Sequence, residues 1–356
     1  MGIFIHSIAQ ISNQEPFSDK WFSEPIIYNE RYVRSIEPDF STYISPMITR
    51  RMGKIIKRAL ATALHITKQT GIDNPDAIIT GTGLGCIEHT EKFIAAMLEN
   101  NEELLPPTYF MQSTHNTISS QIAIHLKCNG YNNTYSHRGT SFDSALFDAC
   151  IQFELGEIHT AMVNGHDELT PNYFLLLDKI GYWKEGQITE QRLREGNTRG
   201  SFAGECSVSF MLGNSLRPDS ICQLKGMELL YQPTKEQLTN AVDSLLQKNN
   251  LTRNDIDVLV TGVNGDREND VIYREMHSSI FPRKPMVWYK HIFGESYTSS
   301  GLGLYAAATI LQKAFIPQSL LYNACTEEIT IPKNILVYNH FQDKDHSLTL
   351  LSSCLD

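Results

Sequence analysis

No stretch of the chain approaches the roughly eighteen consecutive apolar residues that a membrane-spanning helix needs, so no such helix is expected. Basic residues are scarce: 30 Lys and Arg stand against 40 Asp and Glu, a formal net charge of −10 over 356 residues. A chain this acidic is repelled by phosphate backbones unless its cations cluster, so nucleic acid is not an expected partner. Cysteine is sparse too. The seven (86, 128, 150, 206, 222, 325 and 354) are odd in number, scattered and without a C-x-x-C pair. That argues against a disulfide framework or a structural zinc site. Gly81-Thr82-Gly83-Leu84-Gly85 has the look of a phosphate loop, but no Lys-Ser/Thr follows it and a turn after a strand is the better reading. No cofactor and no metal are expected. Met1-Gly2-Ile3-Phe4-Ile5-His6 lacks the basic region and cleavage site of a secretion signal, and His6 breaks the myristoylation pattern. The expectation is a cytoplasmic protein with reduced thiols.

What is present is ordinary globular composition, 41% hydrophobic and 20% charged, in a chain long enough for two lobes. Within it lies an internal echo. Lys54 to Gly71 reads as a helix closed by a glycine, and Asp76-Ala77-Ile78-Ile79-Thr80-Gly81 as the strand after it. Adding 181 to each number gives a second helix from Lys235 to Leu251. The matching strand is Asp257-Val258-Leu259-Val260-Thr261-Gly262, again opening on Asp and closing on Thr-Gly. Further helices are predicted from Asp143 to Gly156 and from Gly303 to Phe315. Strands are predicted over Ile158 to Val163, Cys206 to Leu212 and Leu348 to Ser352, and Lys184 to Gly200 reads as a polar surface excursion. The Asn, Pro and Asp residues between Asn214 and Asp219 mark a boundary, giving halves 1–215 and 216–356 of one integrated unit.

Six ordered segments carry a resemblance. They are Arg50-Arg51-Met52, then Asn116-Thr117 with Ile122, Ala123 and Leu126, then Gly130 to Leu146, Phe202-Ala203-Gly204-Glu205, Asn269-Asp270, and Lys290 to Gly301. Together they resemble the β-ketoacyl synthases, condensing enzymes of the thiolase fold. The resemblance implies an α/β protein whose two duplicated βαβ-rich halves stack as a five-layer αβαβα sandwich. It also implies a thiolate at a helix N-terminus and two histidines, and here all three positions are replaced: Gly139 for the nucleophile, Gly262 and Glu295 for the histidines. Lys290 alone of the usual four is retained. The glycine-rich turn that completes the family's oxyanion hole is represented by Asn339-His340-Phe341-Gln342-Asp343-Lys344-Asp345, with no glycine and two aspartates.

The expected function is therefore a degenerate ketosynthase, similar to a chain length factor. Such a subunit pairs with an intact ketosynthase in type II polyketide, aryl polyene or fatty-acid-related biosynthesis. On this reading Gly139 and Gly262 leave space, while Phe110, Met111, Gln112 and His115 lie at the subunit interface and shape the partner's tunnel. Arg138 reaches across that interface. Acyl carrier protein docks on the partner or on a basic patch at Arg50, Arg51, Lys54, Lys57 and Arg58. Two alternatives stand beside it. One is an acyltransferase or hydrolase with chemistry rebuilt around Glu295, His137 or Ser141; the other is a homodimeric acyl-chain binder. Cys150 and Cys206, mid-helix and on an apolar strand, read as buried inert thiols.

Overall fold

The computed structural model describes residues 2–50, 52–103, 105, 107–323 and 331–354. Ten strands are defined among them. The first five are β1 (Ile3–Ile11), β2 (Ala77–Gly81), β3 (Tyr131–Tyr135), β4 (Thr160–Asp167) and β5 (Cys206–Gly213). The second five are β6 (Cys222–Tyr231), β7 (Val258–Thr261), β8 (Met286–Trp288), β9 (Asn334–Phe341) and β10 (Asp345–Ser353). Their order across the sheet is β3-β2-β4-β5-β1-β6-β10-β9-β7-β8. Read outward from the centre, each half runs through its first, fifth, fourth, second and third strand. β2 is parallel to β3 and β4, as β7 is to β8 and β9, and the remaining pairs are antiparallel. The echo seen in the sequence is therefore a duplication of topology, with β2 and β7 as its equivalent strands.

The aspartate that opens each echoed strand has the same task in both halves. Asp76 Oδ2 accepts from the backbone N–H groups of His159 (2.8 Å) and Thr160 (2.9 Å) and from the Thr160 hydroxyl. Asp257 Oδ2 accepts from the N–H groups of Lys333 (2.7 Å) and Asn334 (2.8 Å). Each carboxylate thus fixes the entry of the neighbouring parallel strand, β4 or β9. Burial works against the charge on Asp76, but its three donors prevail and hold the carboxyl below its ordinary range.

Two helices, Ser141–Glu154 and Ser299–Lys313, form the middle layer. Every residue from Ser299 to Leu311 is buried, and small residues (Gly301, Gly303, Ala306, Ala307, Ala308) let the two halves of the sheet close on it. Lys54–Thr70 and Thr117–Leu126 cover one outer face, and Lys235–Lys248 and Asp270–Ile280 the other. Three hydrophobic clusters fill the gaps between these five layers. The helices predicted from 143 and 303 begin a little earlier, at Ser141 and Ser299. Helix Lys54–Thr70 closes on Gly71 at φ 66° as expected, and Lys235–Lys248 stops three residues short of Leu251. The strand predicted from Ile158 begins at Thr160. The excursion from Lys184 to Gly200 is not wholly superficial. Lys184 is 1% exposed, its ammonium donating to the carbonyl and hydroxyl of Thr198 at 2.9 Å each.

Candidate functional site

Where strands end and turn into helices, four of the residues singled out from sequence line one cavity of about 730 Å³: Gly139, Gly262, Lys290 and Glu295. Gly139 lies in the short turn between β3 and the Ser141 helix, and Gly262 directly follows β7. Lys290 opens the turn after β8, and Glu295 follows Gly294, whose φ of 79° swings the chain back toward the cavity. The opposite wall comes from the end of β9 and its hairpin, Asn339 to Asp343.

Glu295 is fully engaged. Lys290 Nζ donates to both its oxygens at 2.9 Å, Asn264 Nδ2 to Oε2 at 2.6 Å and the Ser299 hydroxyl to Oε1 at 2.9 Å. Its backbone is tied as well, N–H to Phe202 O (2.8 Å) and C=O from Gly204 N–H (3.0 Å). Lys290 and Glu295 are both buried. A buried carboxylate with this many donors is a keystone between the halves, held by charge-assisted hydrogen bonds rather than poised for proton transfer.

The two glycines do not leave space. A Cβ at Gly139 would lie 2.4 Å from the ring of Phe341, and one at Gly262 would lie 2.4 Å from Tyr273 Oη and 2.6 Å from Asn339 Oδ1. Contacts under 3 Å cannot be borne without movement, so the volumes expected to be open are occupied by Phe341, Tyr273 and Asn339. These groups are themselves fixed. Tyr289 Oη donates to Asn339 Oδ1 at 2.6 Å, Tyr273 Oη accepts from His340 N–H at 3.0 Å, and the Phe341 ring packs edge-on against Tyr297. The hairpin carrying Phe341 turns through Gln342 and Asp343, both at φ 53°, a left-handed geometry taken here without glycine.

The remaining wall carries Asp266 and Glu268, and the buried Asp270, between the lining residues Asn269 and Val271, braces it. Asp270 accepts from the N–H groups of Asn264 (3.0 Å) and Gly265 (2.8 Å), and Asp266 from those of Gly200, Glu268 and Asn269. Burial raises the Asp270 pKa to about 7 against these bonds. His340 is an imidazole that lines the cavity. Its Nε2 donates to Asn269 O at 2.9 Å and its Nδ1 accepts from Asp343 N–H at 3.3 Å. Burial pushes its pKa down to about 3, so it is neutral with both nitrogens used. Arg199 stands at the mouth, 3.5 Å from Glu268. Among the described residues no cysteine lines the cavity.

The other candidates lie elsewhere. Ser141 is buried, its hydroxyl donating to Arg138 O (2.7 Å) and accepting from His137 N–H (2.8 Å), a local cap rather than a nucleophile. His137 is exposed, 4.0 Å from Asp345. Cys150 and Cys206 are buried, and burial drives both thiols well above their ordinary pKa. Phe110 (57% exposed), Met111 (68%), Gln112 and His115 sit on and after the surface helix Pro107–Ser113, apart from the cavity. Arg138 is exposed at φ 45°, beside Gly139. The basic patch is corrected: Arg58 is 2% exposed and ion-paired with Glu37 and Glu205 (3.1 Å), and Arg51, like Cys325, lies outside the described residues. The turn reading of Gly81 to Gly85 holds. The N–H groups of Gly83 and Leu84 donate to the chain's own Asp167, at 3.0 and 2.9 Å.

Sequence reasoning missed Phe341 and Tyr273 as occupants. The signal available was the replacement of a glycine turn by a run containing Phe341, at the same time as the nucleophile shrank to glycine.

Residues 21–183 match the family model described as the N-terminal domain of β-ketoacyl synthase. No curated protein matches the sequence. The fold is similar to that of the ishigamide ketosynthase/chain length factor, at 14% identity over 99% of each chain with a TM-score of 0.81. It is also similar to a β-ketoacyl synthase from Burkholderia phymatum STM815 (13%, 99% of each chain, 0.77). A third likeness is to a ketosynthase in complex with its chain length factor from Xenorhabdus doucetiae (15%, 99% of this chain and 98% of that one, 0.76). Among the described residues no helix is long and apolar enough to cross a membrane.

Proposed function

Because residues 21–183 match the β-ketoacyl synthase N-terminal domain model and the whole chain is similar in fold to ketosynthases, we propose that this protein is a non-catalytic, chain-length-factor-like partner of an intact ketosynthase. The observation that carries the proposal is the closure of the nucleophile position: Gly139 has the Phe341 ring where a cysteine Cβ would stand. The first histidine position is closed likewise by Tyr273 and Asn339, and the second holds a carboxylate already bound by Lys290. Three replacements, each packed by a neighbour, fit a chain shaped to do without the chemistry better than one that has only lost it.

Two features favour a partner. β3 is an edge strand, paired with β2 on one side only, and Tyr131 and Asn132 on it are exposed. Open edges are covered in native assemblies. Phe110 and Met111 add exposed apolar surface, and Arg138 an exposed cation, on the same half. The partner supplies the thiolate and both histidines, in type II polyketide, aryl polyene or fatty-acid-related biosynthesis, and the acyl carrier protein docks on it. The rebuilt-enzyme reading has less support, since Ser141 and His137 lie outside the cavity and Glu295 is fully bonded. The test is affinity purification of the tagged chain from its host. A ketosynthase at one-to-one, whose product length changes in Phe110→Ala and Met111→Ala variants, is the expected result. A chain that remains a homodimer beside every ketosynthase of the host overturns it.

A further inference from the structure

We propose a second ligand site at the seam between the two halves, sharing no lining residue with the cavity of the replaced triad and independent of the proposed function: a recess that holds a free single-chain monocarboxylate. β1 pairs with β6 only where Ile3–Ile5 meet Cys222–Leu224, so past Leu224 the β1 side of β6 is no longer laddered. At that point β6 bulges. Leu350 faces Gly226 and Leu351 faces Leu224, leaving Lys225 as the extra residue, with Gly226 at φ 151°. A bulge of this kind redirects a side chain and breaks the ladder locally.

Beside the bulge lies a recess of about 360 Å³, within the size range of small-ligand sites, roughly 300–1,000 Å³. Phe147, Cys150, Met227 and Leu245 give it apolar walls. The Cys150 thiol belongs with them, because burial pushes its pKa up to about 12 and keeps it neutral. Four charges line the recess: Lys225, Lys248, Glu154 and Glu228. Lys248 and Glu228 neutralise each other at 2.7 Å. Lys225 is half-buried and has no hydrogen bond or ion pair among the described residues, while Glu154 is exposed. Lys225 therefore has no counter-charge of its own at the recess, and an anion seated above the apolar walls supplies one. The sum of charge is zero, so a single carboxylate is accommodated and a dianionic headgroup is opposed by Glu154. An apolar chain in the recess with its carboxylate on Lys225 satisfies both halves of the lining.

The experiment titrates octanoate, with octanol as the uncharged control, into the full chain by calorimetry. Saturable one-to-one binding of octanoate is expected. Lys225→Met weakens it about ten-fold, as expected for loss of a hydrogen bond to a charged group. Glu154→Gln tightens it, and octanol binds both variants as it binds the wild type. An unchanged melting temperature in Lys225→Met excludes a folding defect. Absence of saturation, or equal octanoate affinity in wild type and Lys225→Met, overturns the proposal.

Discussion

Gly139 and Phe341 are complementary across 202 positions of chain, small where the other is large. Putting a side chain back at the elbow is then a problem of volume before it is one of chemistry. Gly139→Cys forces its Cβ against the Phe341 ring, now 2.4 Å from that position. Overpacking of this sort costs about 1–3 kcal/mol. The double variant Gly139→Cys, Phe341→Ala removes the obstruction and should recover much of that loss, so the two changes are strongly non-additive. Urea denaturation of the two single variants and the double variant measures the coupling. Additive effects would mean that the ring does not fill the nucleophile's place. The sequence marked Gly139 as the replaced position but not Phe341 as its occupant. Ordered motifs locate a backbone position; which distant side chain turns into the vacated volume depends on the hairpin's path. Arg58 and Lys184 failed for a related reason. A long cation reads as surface until its partners, Glu37 and Glu205 or the Thr198 oxygens, are brought beside it.

At the scale of elements, legibility was high because the duplication repeats its chemistry along with its pattern. The Asp-opened strand with a helix before it was visible at both 76 and 257, and both aspartates fasten the entry of the adjacent parallel strand. Strand ends were read less well. The strand predicted over Ile158 to Val163 begins at Thr160 because His159 and Thr160 give their N–H groups to Asp76 and only then enter the ladder. If the two aspartates are equivalent devices, Asp76→Ala and Asp257→Ala should cost similar amounts, about 1–3 kcal/mol each for backbone donors left without a charged acceptor. Sitting in different halves and sharing no partner, their effects should add. Chemical denaturation of both singles and the double tests this. A near-zero cost for one of them would show that the repeat is topological only.

For the molecule as a whole, burial has set two groups of ionisable side chains against each other. Burial raises the pKa of Asp167 to about 6 and those of Glu168 and Asp270 to about 7. A carboxyl raised in this way binds its proton first in the folded state, so folding loses stability as pH rises from its ordinary value toward the folded one. Burial also lowers His166, His291 and His340 to about 3. An imidazole lowered in this way is protonated first in the unfolded chain, so its contribution is complete above pH 6.5 and is lost as pH falls. Each group contributes a slope of about 1.4 kcal/mol per pH unit within its window. All six windows overlap only between about pH 6 and pH 4.5, where the three carboxyl slopes oppose the three imidazole slopes; His6, His65, His89 and His346, also lowered by burial, tip the balance toward a gentle loss as pH falls. Below about pH 4 all three unfolded carboxyls are protonated as well, their compensation ends, and the imidazoles continue to destabilise down to about pH 3. Asp76 and Asp243, held below their ordinary range in the folded state, add to the loss there. Urea midpoints measured from pH 8 to pH 3.5 should therefore fall gently below about pH 6.5 and steepen near pH 4. A decline as steep at pH 6 as below pH 4 would mean that the imidazoles act without the carboxyls, and that the acidic cluster around Asp270 stays ionised in the folded protein.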